Sequence, residues 1–388
     1  MSDASSWEGL IVVCAGTRWG GVPMPEHHIA DRLTEWAPVL YVDPPTSLLA
    51  ARRNPAIAGS TLRVLRQGLA HLSPIVLPAA RRPGMVRVTE QLMRFQIRSA
   101  IDRLGGRAAV RILASDLPLY ERRGGEQRVL FATDDFEAGA ELMGLSRNQI
   151  RRHESRLASE SDLVIAISEP IAEKWLAVAR KVVLVPNGCD AERFADTDNA
   201  PWPEEVRLPK PIAGFAGQIN ERLDILLLEA IAARGHSILM VGPVTRTFDG
   251  RRLKALLSRP NVQWVGSKQF ETMPSYLRAM HIGLTPYADT PFNRASLPLK
   301  TIEYLAAGRA VVSTDLPAAR WLGTDHVSLA KGPHIFADAV EARLKEPLTD
   351  TVVAQRQVFA AGHSWSARAR QFAEAIGVGS YQSTDHTQ

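Results

Sequence analysis

The chain has 388 residues, 45% of them hydrophobic and 22% charged, with a formal net charge of +5. That balance excludes an intrinsically disordered chain, and the length exceeds what one hydrophobic core ordinarily supports, so two domains are expected. The only cysteines, Cys14 and Cys189, stand in no CxxC or other ligand spacing, which excludes a disulfide framework and a zinc site and predicts a reducing, cytoplasmic setting. The apolar run Leu10 to Ala15 is too short to cross a bilayer and lacks the basic flank and cleavage site of a signal peptide. Loose structure is expected only at Met1 to Ser6 and over about the last ten residues.

The positive charge is local. Ala51 to Arg111 holds twelve arginines against only Glu90 and Asp102. A solvated basic face and an attraction to anionic lipid headgroups or a phosphorylated acceptor are equally good accounts of that excess. Nucleic acid is not expected as a partner, because Phe95 is the segment's one aromatic residue and no RNA- or DNA-binding motif is present.

Taken in chain order, short apolar runs alternate with helical patterns, which predicts an α/β fold with parallel sheets covered by helices on both faces. Strands are predicted at Gly9–Ala15, Val39–Val42, Val110–Ala114, Arg128–Ala132, Leu163–Ile167 and Val182–Val185. The matching helices are His27–Trp36, Arg87–Arg103, Arg147–Ser159 and Pro170–Ala179. Asn187-Gly188 makes a turn, and the proline-rich stretch Pro201 to Pro211 reads as the connection between domains. A second series follows: strand Ile212–Ala216, helix Arg222–Ala233, strand Ile238–Val241, helix Arg251–Leu257, strand Val262–Val265, helix Met273–Ala279 and strand Ile282–Pro286. After it come a helix opening near Pro298, a strand around Val311 and a final helix from Ser364 to about Ile376.

Ligands of such sheets bind beyond the C-terminal strand ends, which directs attention to the loops there. In Ser296 to Val312, Pro298 suits a first helical turn, and the amides of Ser296, Leu297 and Leu299 around it form a phosphate site. Lys300 and Glu303 share one helical face near that end, where the cation suits a diphosphate and the carboxylate suits a ribose diol. Gly308 ends the helix. Gly217 follows the strand at Ile212–Ala216, and Arg222 is expected at the start of the next helix, where facing the diphosphate is favoured over the role of a plain surface cation. Gly20-Gly21 follows the first strand, where the backbone can approach a ligand without a side-chain clash, or where an ordinary turn is made. Asp134 and Asp135 follow the strand ending at Ala132, so one can serve chemistry while the other caps a helix. Of His27 and His28, at most one is expected to face a ligand, and a packed or capping role is the commoner outcome. Asp196-Thr197-Asp198 spells a metal-binding DxD but lacks a preceding buried strand, so no metal site is expected.

Jointly these strings resemble the GT-B glycosyltransferases, in particular the glycogen-synthase-like retaining enzymes of glycosyltransferase family 4. Gly20-Gly21 matches their N-terminal glycine loop, and Val185 to Asp190 followed by Phe194 resembles PNGVDxxxF. Phe215-Ala216-Gly217 with Arg222 resembles FxGRLxxxKG, and Asn261-Val262 through Gly266 resembles NVxFxG. Pro298-Leu299-Lys300, Glu303 and Ala306 to Val312 resemble the end of the donor motif. Three departures stand out: Ala295 replaces the first Glu of that motif, Gln218 replaces the loop Arg, and Asp134 or Asp135 replaces the usual N-terminal His. The PLKxxEYLAAG pattern with an acidic pair is similar to a bacterial branch that includes teichuronic-acid-type cell-surface glycosyltransferases.

The resemblance implies two Rossmann-like domains with an interdomain cleft: an acceptor-side domain over 1–200, a nucleotide-sugar-binding domain over 201–363, and a returning helix with a loose tail over 364–388. It implies transfer of a hexose-type sugar, with retention, from a nucleotide diphosphate sugar to an acceptor hydroxyl of a small molecule or a lipid-linked glycan, in cell-surface glycan or secondary-metabolite glycosylation. Donor contacts are expected from Gly20, Gly21, Gly217, Ser296, Leu297, Pro298, Leu299 and Glu303. Catalytic roles are expected from Arg222, Lys300, Asp134, Asp135 and His27, with no cofactor and no metal. Location is expected in the cytoplasm, either free or in peripheral contact with the inner, anionic face of the membrane. Two rivals stand beside this reading: a sugar-nucleotide epimerase or donor hydrolase, and a non-catalytic nucleotide-sugar-binding subunit.

Overall fold

The structure is a computed structural model and describes residues 7–379 apart from 22, 54–60, 81, 83, 122–124, 141–145, 246–247, 249 and 298. Pro298 and the terminal stretches expected to be loose, up to residue 6 and from residue 380, therefore lie outside the described residues. The chain divides into two compact units, one formed by Met1–Ile167, Ile171–Pro186 and Arg368–Gln388, the other by Ser168–Pro170 and Asn187–Ala367. The fold is mixed α/β with parallel sheets in each.

The strands of the first unit are β1 (Glu8–Ala15), β2 (Val39–Val42), β3 (Thr46–Ser47), β4 (Thr61–Arg66), β5 (Leu69–Ser73), β6 (Ile75–Val76), β7 (Arg107–Ala114), β8 (Gln127–Ala132), β9 (Leu163–Ala166) and β10 (Val182–Leu184). Eight of them form one sheet in the order β10-β9-β8-β7-β1-β2-β5-β4, and β3 pairs with β6. Every pairing in the large sheet is parallel except β4 with β5. Six strands were expected from apolar runs; five of them lie in the sheet's interior, where Val39 to Val42 and Leu163 to Ala166 are buried throughout, and the sixth, β10, forms one edge. The β4–β5 hairpin was not expected. Its edge strand, Thr61–Arg66, shows most of its residues to solvent, so it lacks the apolar run by which the inner strands are recognised, and Gly68 at φ +73° makes the turn.

The hairpin also bears on the basic segment. Arg66 pairs with Asp31 at 2.6 Å, Arg98 lies 3.7 Å from Glu121, and Arg94 reaches Glu90 and the carbonyl of Pro118. Arg111 is wholly buried against Glu126. Part of the arginine excess is therefore structural, while Arg52, Arg53, Arg63, Arg82 and Arg87 are exposed.

The helices in chain order are α1 (Pro25–Leu33), α2 (Leu48–Arg53), α3 (Met85–Leu104), α4 (Arg147–Glu160), α5 (Glu169–Leu176), α6 (Ala191–Ala195), α7 (Ile225–Ala233), α8 (Gly250–Leu257), α9 (Met273–Ala279), α10 (Pro291–Ala295), α11 (Leu299–Ala306), α12 (Pro317–Trp321), α13 (Pro333–Leu344), α14 (Asp350–Ala361) and α15 (Trp365–Ala375). None of the described helices is long and apolar enough to cross a membrane.

The second unit's strands are β11 (Ile212–Ala216), β12 (Ser237–Val241), β13 (Val262–Trp264), β14 (Ile282–Thr285), β15 (Ala310–Thr314) and β16 (Val327–Ala330), all parallel, in the order β13-β12-β11-β14-β15-β16. Alternate residues of β11 serve opposite cores: Ala213 and Phe215 pack with Leu227, Leu228 and Phe336, while Ile212 and Ala216 pack with Leu277, Tyr304 and Leu305. Close helix–sheet packing demands two glycines. A Cβ on Gly283 would stand 2.2 Å from the Tyr304 ring, and one on Gly214 would stand 2.1 Å from the sulfur of Met280. Helix α7 starts at Ile225 rather than at Arg222, because the Asp224 carboxylate caps it by accepting from the amide of Leu226 at 3.1 Å. Arg222 is left in the loop.

Candidate functional site

In the second unit the strand order reverses between β11 and β14, which leaves a crevice outside their C-terminal ends, the position where doubly wound sheets bind ligands. The loop after β11 and the loop after β14 are stitched together there. The amide of Ala288 donates to the carbonyl of Arg222 at 2.8 Å, and that of Asp224 donates to Pro286 at 2.9 Å. Gly217 donates its own amide to Val241, and its carbonyl lies so close to Gly242 that a Cβ there would be 1.9 Å away. Glycine at 242, with φ +138°, is thus what lets the ends of β11 and β12 meet beneath the crevice.

Arg222 is half-buried, and its guanidinium carbon lies 5.2 Å from the centre of the Tyr287 ring and 4.9 Å from that of Phe292. Its Nε donates to the Oδ1 of Asn293 at 2.8 Å. On α11, the Nζ of Lys300 reaches the Oε2 of Glu303 at 2.6 Å, a pair one helical turn apart. The other carboxylate oxygen of Glu303 retains its acceptor capacity. Burial pushes the Tyr287 phenol up, and the charges whose fields reach it are those of Arg222, Lys300 and Glu303. Ser296 and Leu297 are buried, and the Ser296 hydroxyl donates to the carbonyl of Phe292 at 3.0 Å. Leu299 and Lys300 open α11, and amides in the first turn of a helix have no acceptor within the helix itself. Ala295 is buried at the end of α10.

The remaining predicted residues belong to the first unit. Gly20 and Gly21 form a turn in which Gly21 donates to the carbonyl of Arg18 at 2.9 Å, and a Cβ on Gly20 would meet nothing within 4 Å. His27 is buried in α1. The amide of Met24 donates to its Nδ1 at 3.2 Å, which makes Nε2 the protonated nitrogen, donating to the carbonyl of Arg18 at 2.7 Å. The ring thus holds the chain between Arg18 and α1 in shape. Asp135 accepts from the amide of Ala138 at 3.2 Å and from Lys174 at 2.7 Å, while Asp134 lies beside it, half-buried.

Lys174 also meets Glu154 at 2.9 Å and Glu137 at 3.7 Å, so one ammonium serves three carboxylates. Burial, offset only in part by Lys174, lifts Glu154 from 4.5 to about 7. Its folded value lies above the unfolded one, so the folded state holds the proton more tightly and stability falls as pH rises from about 4.5 to about 7. Glu154→Gln is expected to match the wild type in denaturant stability at pH 5 and to exceed it at pH 8. Equal stabilities at both pH values would refute the assignment.

Asp43 escaped the sequence reading. It directly follows β2 as a buried carboxylate and accepts from the amide of Trp19 at 2.9 Å, from His71 at 2.9 Å and from Ser73 at 3.0 Å. Burial would raise its pKa, but the hydrogen bonds from His71, Trp19 and Ser73 outweigh that and hold it below the usual carboxylate value. With Val42, Pro45, Met93, Ser115 and Asp116 it lines a cavity of about 560 Å³ at the C-terminal ends of β1, β2 and β7. The signal that singled out Asp134, an acid just after a buried strand, also applies to Asp43. Tyr287, Phe292 and Asn293 carried no such signal, because they sit in a loop and a five-residue helix without periodicity.

Residues 210–346, which contain the crevice, match the family described as glycosyl transferases group 1. Over 395 aligned positions the chain is 26% identical to a Bacillus subtilis (strain 168) glycosyltransferase provisionally assigned to teichuronic acid biosynthesis, covering 95% of this chain and 97% of that one. Among solved structures it is similar to sucrose-phosphate synthase from Thermosynechococcus elongatus, with a TM-score of 0.71, 16% identity, and 95% and 98% of the two chains covered. It is also similar to Anabaena HepE in complex with UDP, with a TM-score of 0.62, 13% identity, and 95% and 99% covered. A third likeness is to the UDP-forming trehalose-phosphate synthase of Burkholderia xenovorans in complex with glucose-6-phosphate, with a TM-score of 0.65, 12% identity, and 95% and 100% covered. Residues 210–346 are thus a glycosyl transferases group 1 domain on a chain of GT-B fold with two Rossmann-like domains, and the protein is a glycosyltransferase.

Proposed function

We propose that the crevice between β11 and β14 binds the diphosphate and ribose of a UDP-sugar, and that the protein transfers a hexose-type sugar with retention to an acceptor hydroxyl in cell-surface glycan assembly. The observation that carries this reading is the Arg222 guanidinium held beside Tyr287 in the loops at the point of strand-order reversal, with the Lys300–Glu303 pair on the first turns of α11 after β14. Arg222, Lys300 and the first amides of α11 stabilise the charge that builds on the leaving diphosphate, a reading that calls for no metal ion. Glu303, steadied by Lys300 through one oxygen, accepts from the ribose diol with the other. The Anabaena neighbour's complex with UDP supports uracil as the base.

The acceptor in this reading is a lipid-linked glycan whose polar end enters the cavity beside Asp43 and Asp116, where carboxylates accept from sugar hydroxyls and Pro45 and Met93 offer apolar walls. Arg18 and His27 shape the loop beside it, and Asp134 and Asp135 orient hydroxyls. The exposed leucines Leu48 and Leu49 of α2, followed by Arg52 and Arg53, suit contact with an anionic membrane surface.

Thermal-shift titration with UDP-, GDP- and dTDP-sugars tests the donor. UDP-sugars are expected to raise the melting temperature, and Glu303→Ala is expected to cut the response to UDP while leaving that to pyrophosphate. No shift with any of the three would overturn the reading. Sedimentation with anionic liposomes tests the membrane surface, where salt-sensitive binding is expected and its absence would discard that part.

A further inference from the structure

We propose that Asn293 is the positioning residue of the diphosphate site, a neutral clamp that aims Arg222 without cancelling its charge. The inference rests on the assignment of Arg222 to the diphosphate. Asn293 is 2% exposed and sits on α10, whose start is fixed by Thr290 accepting from the Asn293 amide at 3.2 Å. Its side chain is spent almost entirely on Arg222 and the loop beneath it. The Oδ1 accepts from the Arg222 Nε at 2.8 Å, while the Nδ2 donates to the Arg222 carbonyl at 2.9 Å and to the Ala288 carbonyl at 2.8 Å. One amide thus grips both ends of the same residue, its backbone and its guanidinium, and ties them to the loop after β14.

The consequence for the guanidinium is geometric. With Nε engaged and the rings of Tyr287 and Phe292 within about 5 Å of Cζ, the plane is fixed, and the N–H bonds of the two Nη groups are left as a fork for paired phosphate oxygens. The chemistry of the clamp explains why an amide serves here. A carboxylate would accept from Nε equally well, but it would neutralise the cation and turn a negative oxygen toward the carbonyls of Arg222 and Ala288. A buried neutral acceptor orients the charge and leaves it for the ligand. Arginine without such a hold keeps several rotamers, and each contact with phosphate must then overcome that freedom.

The test is a double-mutant cycle in the full chain, with UDP and uridine as calorimetric probes and inorganic pyrophosphate followed by phosphorus NMR as a base-independent probe. Asn293→Ala is expected to weaken UDP about tenfold and leave uridine unchanged, and in an Arg222→Ala background the same substitution is expected to change UDP by less than about twofold. Asn293→Ser, which keeps a hydroxyl for the carbonyls, supplies the same comparison if the alanine variant does not fold. A loss of UDP and uridine alike, or an undiminished loss without Arg222, would show a merely structural role and overturn the proposal. If Arg222→Ala weakens UDP while Asn293→Ala does not, the clamp alone fails. If Arg222→Ala leaves both UDP and pyrophosphate unchanged, or the wild type binds neither, the diphosphate assignment falls and takes the clamp with it.

Discussion

Arg222→Ala and Lys300→Ala are each expected to lower turnover about a hundredfold, the usual effect of removing one preorganised group that faces developing charge, worth about 3 kcal/mol. The two substitutions should differ in what accompanies that loss. Arg222 lies between Tyr287 and Phe292, so its removal also takes away two ring contacts and costs some thermal stability. Lys300 is partly exposed and bound to Glu303, so its loss leaves that carboxylate without its cation and should weaken the donor's nucleoside end as well. Arg222→Lys restores the charge but cannot offer Asn293 the Nε–H and paired fork, so it should recover only part of the rate. Steady-state release of the nucleoside diphosphate reads all three. Turnover within about threefold of wild type for either alanine variant would remove that residue from the proposed chemistry.

Glu126→Ala is expected to produce the largest loss of stability, about 3 to 5 kcal/mol, because it strands a buried guanidinium. Arg111 lies wholly inside the first unit, its Nε 2.7 Å and its Nη2 2.9 Å from the two oxygens of Glu126, with Nη1 donating to the carbonyl of Leu119 at 3.0 Å. Without Glu126 that carbonyl is the hydrogen-bond acceptor left to it among the described residues. Replacing both partners, as in Arg111→Met with Glu126→Leu, should restore most of the stability, since a buried pair and a packed apolar pair are often nearly equivalent. Urea unfolding of the single and double variants measures both effects. A single-variant loss under about 1 kcal/mol would mean that water reaches the guanidinium. The neighbouring Cys14 offers no reactive alternative, because burial pushes its thiol up to about 12 and keeps it protonated.

The sheet interiors were legible because a parallel strand covered on both faces must be continuously apolar, and such runs stand out without any knowledge of their neighbours. Val39–Val42, Ile212–Ala216 and Met273–Ala279 coincide with predicted elements. The exposed β4 edge, the five-residue α10 and the last strand β16 left no comparable trace. Lys300 and Glu303 could be paired from their spacing because helical geometry fixes neighbours three residues apart.

Contacts between distant segments could not be read this way. Spacing placed Arg222 on a helix, but Asp224 starts that helix and Asn293, 71 residues away, holds the arginine. Asp43 is likewise defined by Trp19, in the loop after β1, and by His71 and Ser73 of β5, which reach it from two separate segments. By itself the sequence determined the two α/β series, the pairing of Lys300 with Glu303 on α11 and the kinship of its motifs, all of which follow from local periodicity and short spacings. Only the tertiary structure decided that His27 is locked by its own loop, that Lys174 serves three carboxylates and that Arg222 is clasped by an amide. The first is local but depends on how the loop folds back on the ring, and the other two depend on which elements the fold brings together, with hydrogen bonds joining residues whose separation in sequence carries no signal.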